Sequence, residues 1–547
     1  MEIINNLNQL FKSLIKNRIF KVTVTFIFII LIYSILYKIY SKRVNAFGCF
    51  DDCFNIVAGY FMLQGKHLYS EIYFNHQPLA AYISYLIQLF GHPSNIYELI
   101  LQHRQFLISF NLIMSFILIL RFNLIGILFV LIYEFSKFYV LGDRFLPEAI
   151  LIYPLIYLLG LVLYKFQNKS IYNFDYALSA IFAWFVIFLR EPQALFALAA
   201  YLLILIGKPI KAKIISLFIF IILSITLFQF INFADYFSNV IILNLNATVK
   251  NEVANNNFFG VGFLKSFLYP FYIFIADKWN LFRFLLISLS IVFTASLIIF
   301  AKTSKKILAV ATIFFLLGLL NLRPVTPGVI FYEAFHILPW YAAFIFATLS
   351  LHKEAFLIHK KIGIFLSILF MSFFAYFIFS PSSFINDKVN MQEEFLNNYG
   401  NYLQIGEVVN ILSSPEDTLF LDGADDLIYW QAKLISSYKY SIYYRNLYLD
   451  KYPKAREEMF IKNPPDFYYD FCSKNKEYFS SIPNNNIHDY QQLYSAGKPT
   501  CLYVKKSKLP EIKPVQWEKA KEFIFSLPNP EDVQNFTNTK SQLAPQL

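Results

Sequence analysis

The chain has 547 residues and a formal net charge of +11, and it is 57% hydrophobic but only 15% charged, with a mean hydropathy of +0.48. A soluble globular protein carries about 25% charged residues, so this composition excludes one and implies an integral membrane protein. The positive balance does not call for a nucleic-acid partner, because much of the Lys and Arg falls in short gaps between apolar runs, the pattern that orients membrane helices.

The N-terminal arm (Lys12, Lys16, Arg18, Lys21) leads into an apolar run from Thr23 to Tyr40. The run is too long for a signal-peptide core and lacks a small-residue cleavage site, so it reads as a retained anchor. Further runs near 100–120, 124–141, 147–164, 174–189, 193–207, 214–231, 281–301, 307–321, 329–350 and 362–380 bring the predicted crossings to about eleven. Strict alternation puts the arm and the gaps holding Lys165/Lys169, Lys208/Lys211/Lys213, Lys302/Lys305/Lys306 and Lys353/Lys360/Lys361 on one side, the cytoplasm by the positive-inside rule. The opposite face then receives 41–99, 142–146, 190–192, 232–280, 322–328 and everything after 381. The predicted fold class is a polytopic α-helical membrane protein with a small C-terminal extracytoplasmic α/β domain, divided into residues 1–384 (with a first outer loop at 41–99) and 385–547.

In the C-terminal part, Glu393 to Ser413 reads as an amphipathic helix, Thr418 to Leu421 as a strand and Asp422 to Asp426 as a loop entering a helix. Phe467 to Tyr469 and Cys501 to Lys505 read as further strands, and the tail after Pro528 as loosely ordered. All four cysteines (Cys49, Cys53, Cys472, Cys501) fall on the outer side, which permits two disulfides; the alternative for Cys49 and Cys53 is metal ligation with His67 or His76.

Ionisable groups concentrate on that outer side. Asp51 and Asp52 follow the first run, where a carboxylate can act as a base or bind a divalent cation, or merely favour the start of the next helix. His76 closes a loop ahead of Pro78 and is open to a metal or phosphate role, or to plain solvation. Arg190, in the turn Arg190-Glu191-Pro192, can fork onto a phosphate, or pair with Glu191 and snorkel. Arg144 has the same two readings between Asp143 and Glu148. Glu333 and His336 stand three apart on one helix face, facing a cavity or bonding a neighbouring helix. Glu134 and Lys137, the main mid-span charges, share the same spacing and read as neutralising each other. The 232–280 segment turns from Asn-rich to aromatic at Phe258-Phe259-Gly260, as a connecting loop or an interfacial gate for a lipid.

These residues carry a resemblance. Phe50-Asp51-Asp52, Ala58-Gly59, Leu63-Gln64-Gly65-Lys66, Leu68-Tyr69 and Asn75-His76-Gln77-Pro78-Leu79 followed by Tyr82 resemble the first outer loop of GT-C membrane glycosyltransferases, above all the bacterial branch related to protein mannosyltransferases and aminoarabinose transferase. The likeness extends to Arg104, to Asp143-Arg144-Phe145-Leu146-Pro147-Glu148 and to Phe331-Tyr332-Glu333-Ala334-Phe335-His336-Ile337-Leu338-Pro339, with Gln77 standing where the family usually has proline. The resemblance implies transfer of a sugar from a polyprenyl-phosphate carrier to a lipid, glycan or protein acceptor at the outer face of a bacterial inner membrane. It implies Asp51 as catalytic base or acceptor-orienting group and Asp52 and His76 in support or on a metal. Arg144, Glu148, Arg190, Glu333 and His336 are then expected around the donor phosphate or its cavity. A divalent cation is the one cofactor left open. Two other classes compete: a transporter or flippase of lipid-linked glycans, which favours midplane charge and inverted repeats, and a non-catalytic envelope assembly protein.

Overall fold

The computed structural model describes residues 18–43, 51–207, 209–246, 280–301, 307–320, 335–381, 390–423, 426–444, 449–470 and 486–528, with isolated positions at 383, 386, 482 and 483. Glu333, Cys49, Cys472, most of the 232–280 segment and the tail from 529 lie outside the described residues.

Long apolar stretches with few charges leave the backbone no hydrogen-bond partner in lipid except itself, so they fold as helices. In chain order these are α1 (Arg18–Arg43), α2 (Asp51–Leu63), α3 (Leu79–Gly91), α4 (Ile96–Phe122), α5 (Leu124–Ser136), α6 (Pro147–Ile150), α7 (Ile152–Phe166), α8 (Asn173–Leu189), α9 (Ala194–Leu205) and α10 (Ile210–Phe228). After the short α11 (Phe233–Tyr236) come α12 (Asn280–Ala301), α13 (Ile307–Leu319), α14 (Leu338–Ile358) and α15 (Lys360–Phe379). Among the described residues six helices are long and apolar enough to cross a membrane: Val22–Lys42, Ile96–Phe122, Ile210–Phe228, Leu281–Ala301, Phe335–Ile358 and Lys360–Phe379. The protein is therefore an integral membrane protein. The other predicted runs form shorter apolar helices.

Two predicted runs are broken, each for a visible reason. The run at 124–141 leaves α-helix after Ser136, tightens into a 3-10 turn over Lys137–Val140 and stops at Leu141, whose φ of 57° is left-handed. Lys137 is fully buried there, its Nζ 2.7 Å from Glu134, so the pair neutralises itself as its spacing predicts. The run at 147–164 starts at Pro147 as predicted but splits at Leu151 into α6 and α7, leaving Glu148 in a separate short turn.

The C-terminal part opens with α16 (Met391–Leu412), capped by the Asn390 side chain on the backbone N–H groups of Gln392 and Glu393. A six-stranded sheet follows: β1 (Thr418–Asp422), β2 (Ile435–Ser436), β3 (Phe467–Asp470), β4 (Tyr490–Ser495), β5 (Lys498–Lys505) and β6 (Phe525–Ser526), in the order β2-β1-β3-β5-β4-β6. β1 pairs in parallel with β2 and β3, reached through the helices α17 (Leu427–Ala432) and α18 (Lys451–Lys462), whereas β5 runs antiparallel to β3 and β4. The β4–β5 hairpin turns on Ala496 and Gly497, both with positive φ (49° and 73°), the two-residue turn whose twist matches its strands. Sequence reading finds β1, β3 and most of β5 but not β2, β4, β6 or α18.

Candidate functional site

The first outer loop is built to hold polar groups against the helix ends. α2 begins at Asp51, so both carboxylates sit in its first turn, where the helix dipole favours negative charge. The helix lies close on α3 because residue 59 is glycine: a Cβ there would come within 2.7 Å of Ser84 Oγ and of the Tyr85 backbone nitrogen. The chain then turns through Tyr69, whose φ of 71° is strained for an aromatic residue. The Tyr69 backbone N–H donates to Ile72 O and its hydroxyl to His76 O (2.8 Å), which fixes the backbone at His76. Gln77 uses its side chain in a way proline could not: its Oε1 accepts from Tyr236 O–H at 3.0 Å.

Two charged groups flank the start of α2. In the first, Asp52, 1% exposed, faces two buried arginines, with Arg104 Nη2 at 3.8 Å and Arg144 Nη1 at 4.0 Å. Arg104 also donates to the Tyr399 hydroxyl of α16 at 3.0 Å. Asp51, half-buried, carries no hydrogen bond or ion pair from the described residues through its carboxylate.

The second group is centred on Arg190. Its Nε donates to Glu148 Oε1 at 2.8 Å and its Nη1 to His76 Nδ1 at 2.7 Å, while Glu191 Oε1 lies 3.5 Å away. Its principal carboxylate is therefore Glu148, 42 residues away, rather than the adjacent Glu191. Burial opposes the charge on Arg190, but Glu148, Glu191 and Asp51 outweigh it and hold the guanidinium above its ordinary pKa. Its Nη2 is buried without a hydrogen bond from the described residues, as are Glu148 Oε2 and Glu191 Oε2. His336 Nδ1 completes the group 3.2 Å from Glu148 Oε1.

The Arg190 contact also fixes the chemistry of His76. A guanidinium can only donate, so His76 Nδ1 accepts and its proton sits on Nε2. A metal role for the residues predicted to share one is poorly matched: His76 Nδ1 is engaged, Asp52 is flanked by two cations and Cys53 is in a disulfide rather than a thiolate. Among the described residues no three His, Cys, Asp or Glu side chains converge as metal ligands.

The structure thus brings Asp52 together with Arg144, and His76, Glu148, Arg190 and His336 with one another; Glu333 lies outside the described residues. Sequence reasoning missed the C-terminal contribution. Besides Tyr399, Tyr444 stacks edge-on against Phe54 (5.9 Å) and Tyr73 (5.8 Å) and donates to Asp426 Oδ2 at 2.6 Å. Burial, then the charges of Asp426 and Asp51, push its hydroxyl far up, so it stays protonated. A signal in the sequence is the i, i+4 pair Phe395 and Tyr399, an aromatic stripe in the N-terminal half of an amphipathic helix. No family model matches the chain, and neither the curated proteins nor the solved structures contain a significant match to it.

Proposed function

We propose that this chain is a membrane glycosyltransferase of GT-C type, moving a sugar from a polyprenyl-phosphate carrier to an acceptor at the outer face of a bacterial inner membrane. The observation that carries this reading is Arg190. A buried guanidinium fixed at Nε and Nη1, with Nη2 left without a hydrogen bond among the described residues, is suited to a phosphate oxygen, and the Asp51 carboxylate acts on the same cation. In the reaction, Asp51 accepts the proton of the acceptor hydroxyl as its oxygen bonds to the anomeric carbon. The bond from that carbon to the phosphate oxygen breaks, and polyprenyl phosphate leaves with the electron pair, its charge met by Arg190. His76 Nε2–H is a further neutral donor for that anion. No step is routed through a metal.

An eleven-span topology with the C-terminal domain outside belongs to the same proposal. It is supported by which loops touch: Ser70 bonds Asp235, Asn75 bonds Asn244 and Arg190 bonds His76, all from segments that alternation sends outward, and Arg190 also bonds Glu148 at the adjoining outer end of the 147–164 run. Arg121 bonds Asp175, and Lys169 lies 3.6 Å from Glu354, from segments sent inward. Cys53 and Cys501 are both disulfide-bonded, as suits an oxidising compartment. Cysteine-accessibility labelling is expected to report residues 41–99 and 385–547 on one, non-cytoplasmic side; a cytoplasmic C-terminal domain ends this topology.

The direct test is purified protein with a panel of polyprenyl-phosphate sugars, scored by release of polyprenyl phosphate. Release identifies the donor; movement of intact lipid-linked glycan without release indicates a transporter instead. Once a donor is known, Arg190→Ala is expected to raise its KM more than Arg190→Lys does, by about tenfold, because lysine keeps the charge and loses the fork. Equal, negligible effects return Arg190 to a structural role.

A further inference from the structure

The contact between α16 and α4 joins the C-terminal domain to the acidic pair by side chains that packing alone does not require. Phe395 meets Tyr97 edge-on at 5.4 Å and stacks on Tyr399 at 5.5 Å, so one aromatic face of α16 lies along the first turns of α4. At the end of that stripe the Tyr399 hydroxyl, fully buried, accepts a hydrogen bond of 3.0 Å from Arg104 Nη2, the nitrogen that faces Asp52. Arg104, Arg144 and Asp52 are each 2% exposed or less. A long side chain in such a place has its position set by its hydrogen bonds, and a phenol at the right distance fixes the guanidinium plane as phenylalanine cannot.

We propose that Tyr399 is a positioning residue: through Arg104 it sets Asp52, and so the first turn of α2, in the arrangement that lets Asp51 meet the acceptor. This rests on the glycosyltransferase reading above and adds to it that the C-terminal domain is a working part of the site, delivering one hydroxyl to it. Burial is the first cause pushing the Tyr399 hydroxyl above its ordinary pKa, with Arg104 opposing, so the group remains a neutral phenol.

The test is a double-mutant cycle on full-length protein, with polyprenyl-phosphate release as the readout and the detergent-solubilised Tm measured for every variant. Tyr399→Phe keeps the ring and removes the hydroxyl. It is expected to lower kcat roughly tenfold, the scale of one hydrogen bond to a charged group, with donor KM unchanged and Tm lowered by about 2 °C at most, as one lost hydrogen bond is small against the unfolding entropy of so long a chain. Arg104→Lys removes the fork, and if the hydroxyl acts through that arginine, adding Tyr399→Phe to it is expected to lower kcat no further. Losses that multiply, a wild-type kcat for Tyr399→Phe, or a Tm several degrees lower for it would each overturn the assignment. Wild-type protein that releases no polyprenyl phosphate from any donor overturns the glycosyltransferase reading itself, whereas wild-type turnover with a silent Tyr399→Phe overturns only the role of Tyr399.

Discussion

Asp51→Asn is expected to reduce donor turnover by about 10²- to 10⁴-fold while leaving the melting temperature near wild type. Asparagine keeps the size of the side chain and suits the start of a helix nearly as well, but it cannot take a proton. If Asp51 served only the helix N-terminus, the order would reverse: asparagine would be nearly silent and alanine would cost about 0.5–2 kcal/mol of stability. Asp52→Asn is the internal comparison. Its carboxylate faces Arg104 and Arg144, so its loss leaves two buried cations less compensated and should lower stability as well as turnover. An Asp51→Asn protein with wild-type turnover ends the catalytic assignment.

The second large effect is on folding. Glu134 accepts from Tyr153 O–H at 2.8 Å and lies 2.7 Å from Lys137 Nζ, all fully buried. Lys137→Ala removes the cation and leaves the carboxylate in a low-dielectric interior, a loss of about 3–5 kcal/mol. Replacing both, as Glu134→Gln with Lys137→Met, should recover most of it, because burying a matched pair costs nearly as much as it returns. Thermal melts of Glu134→Gln, Lys137→Met and the double variant, beside Lys137→Ala, decide the matter; additive losses would show that the two residues do not act as a pair.

What could be read from the sequence follows from the range of each signal. Helical periodicity acts within one helix, so Glu134–Lys137 is found with its partner correctly named, and hydropathy places five of the six long apolar helices to within about four residues, whereas the run at 329–350 ends eight residues short of Ile358. The position of Asp51 and Asp52 at the start of α2 is likewise local. The partners of Asp52 and Arg190 are not: Arg104 reaches Tyr399 across 295 residues and His336 reaches Glu148 across 188, and no pattern in one stretch of chain reports on the other. The nearer carboxylate, Glu191, is the natural sequence-level choice for Arg190 and does pair with it at 3.5 Å, but the shorter contact, 2.8 Å from Nε, goes to Glu148, which no local pattern reports. The break at Leu151 does have a local signal that a hydropathy count overlooks: Pro154 has no N–H for the Ile150 carbonyl, so it sits in the first turn of a new helix rather than inside the old one.

The contacts of the first loop with the last domain also order the events of biosynthesis. Tyr73 N–H donates to Tyr440 O, Ser441 donates to Glu71 O and Trp430 donates to Gln88, whose chain separations are all several hundred residues. A ribosome makes the loop long before the domain that covers it. Until that late segment emerges and folds, Asp52 and its arginines stand in the nascent chain without Tyr399, and the aromatic faces of Phe54, Phe61 and Tyr73 lack their lids. The newly inserted helices must therefore wait in an unfinished state, one that quality-control proteases can recognise and that any truncation ahead of α16 would make permanent.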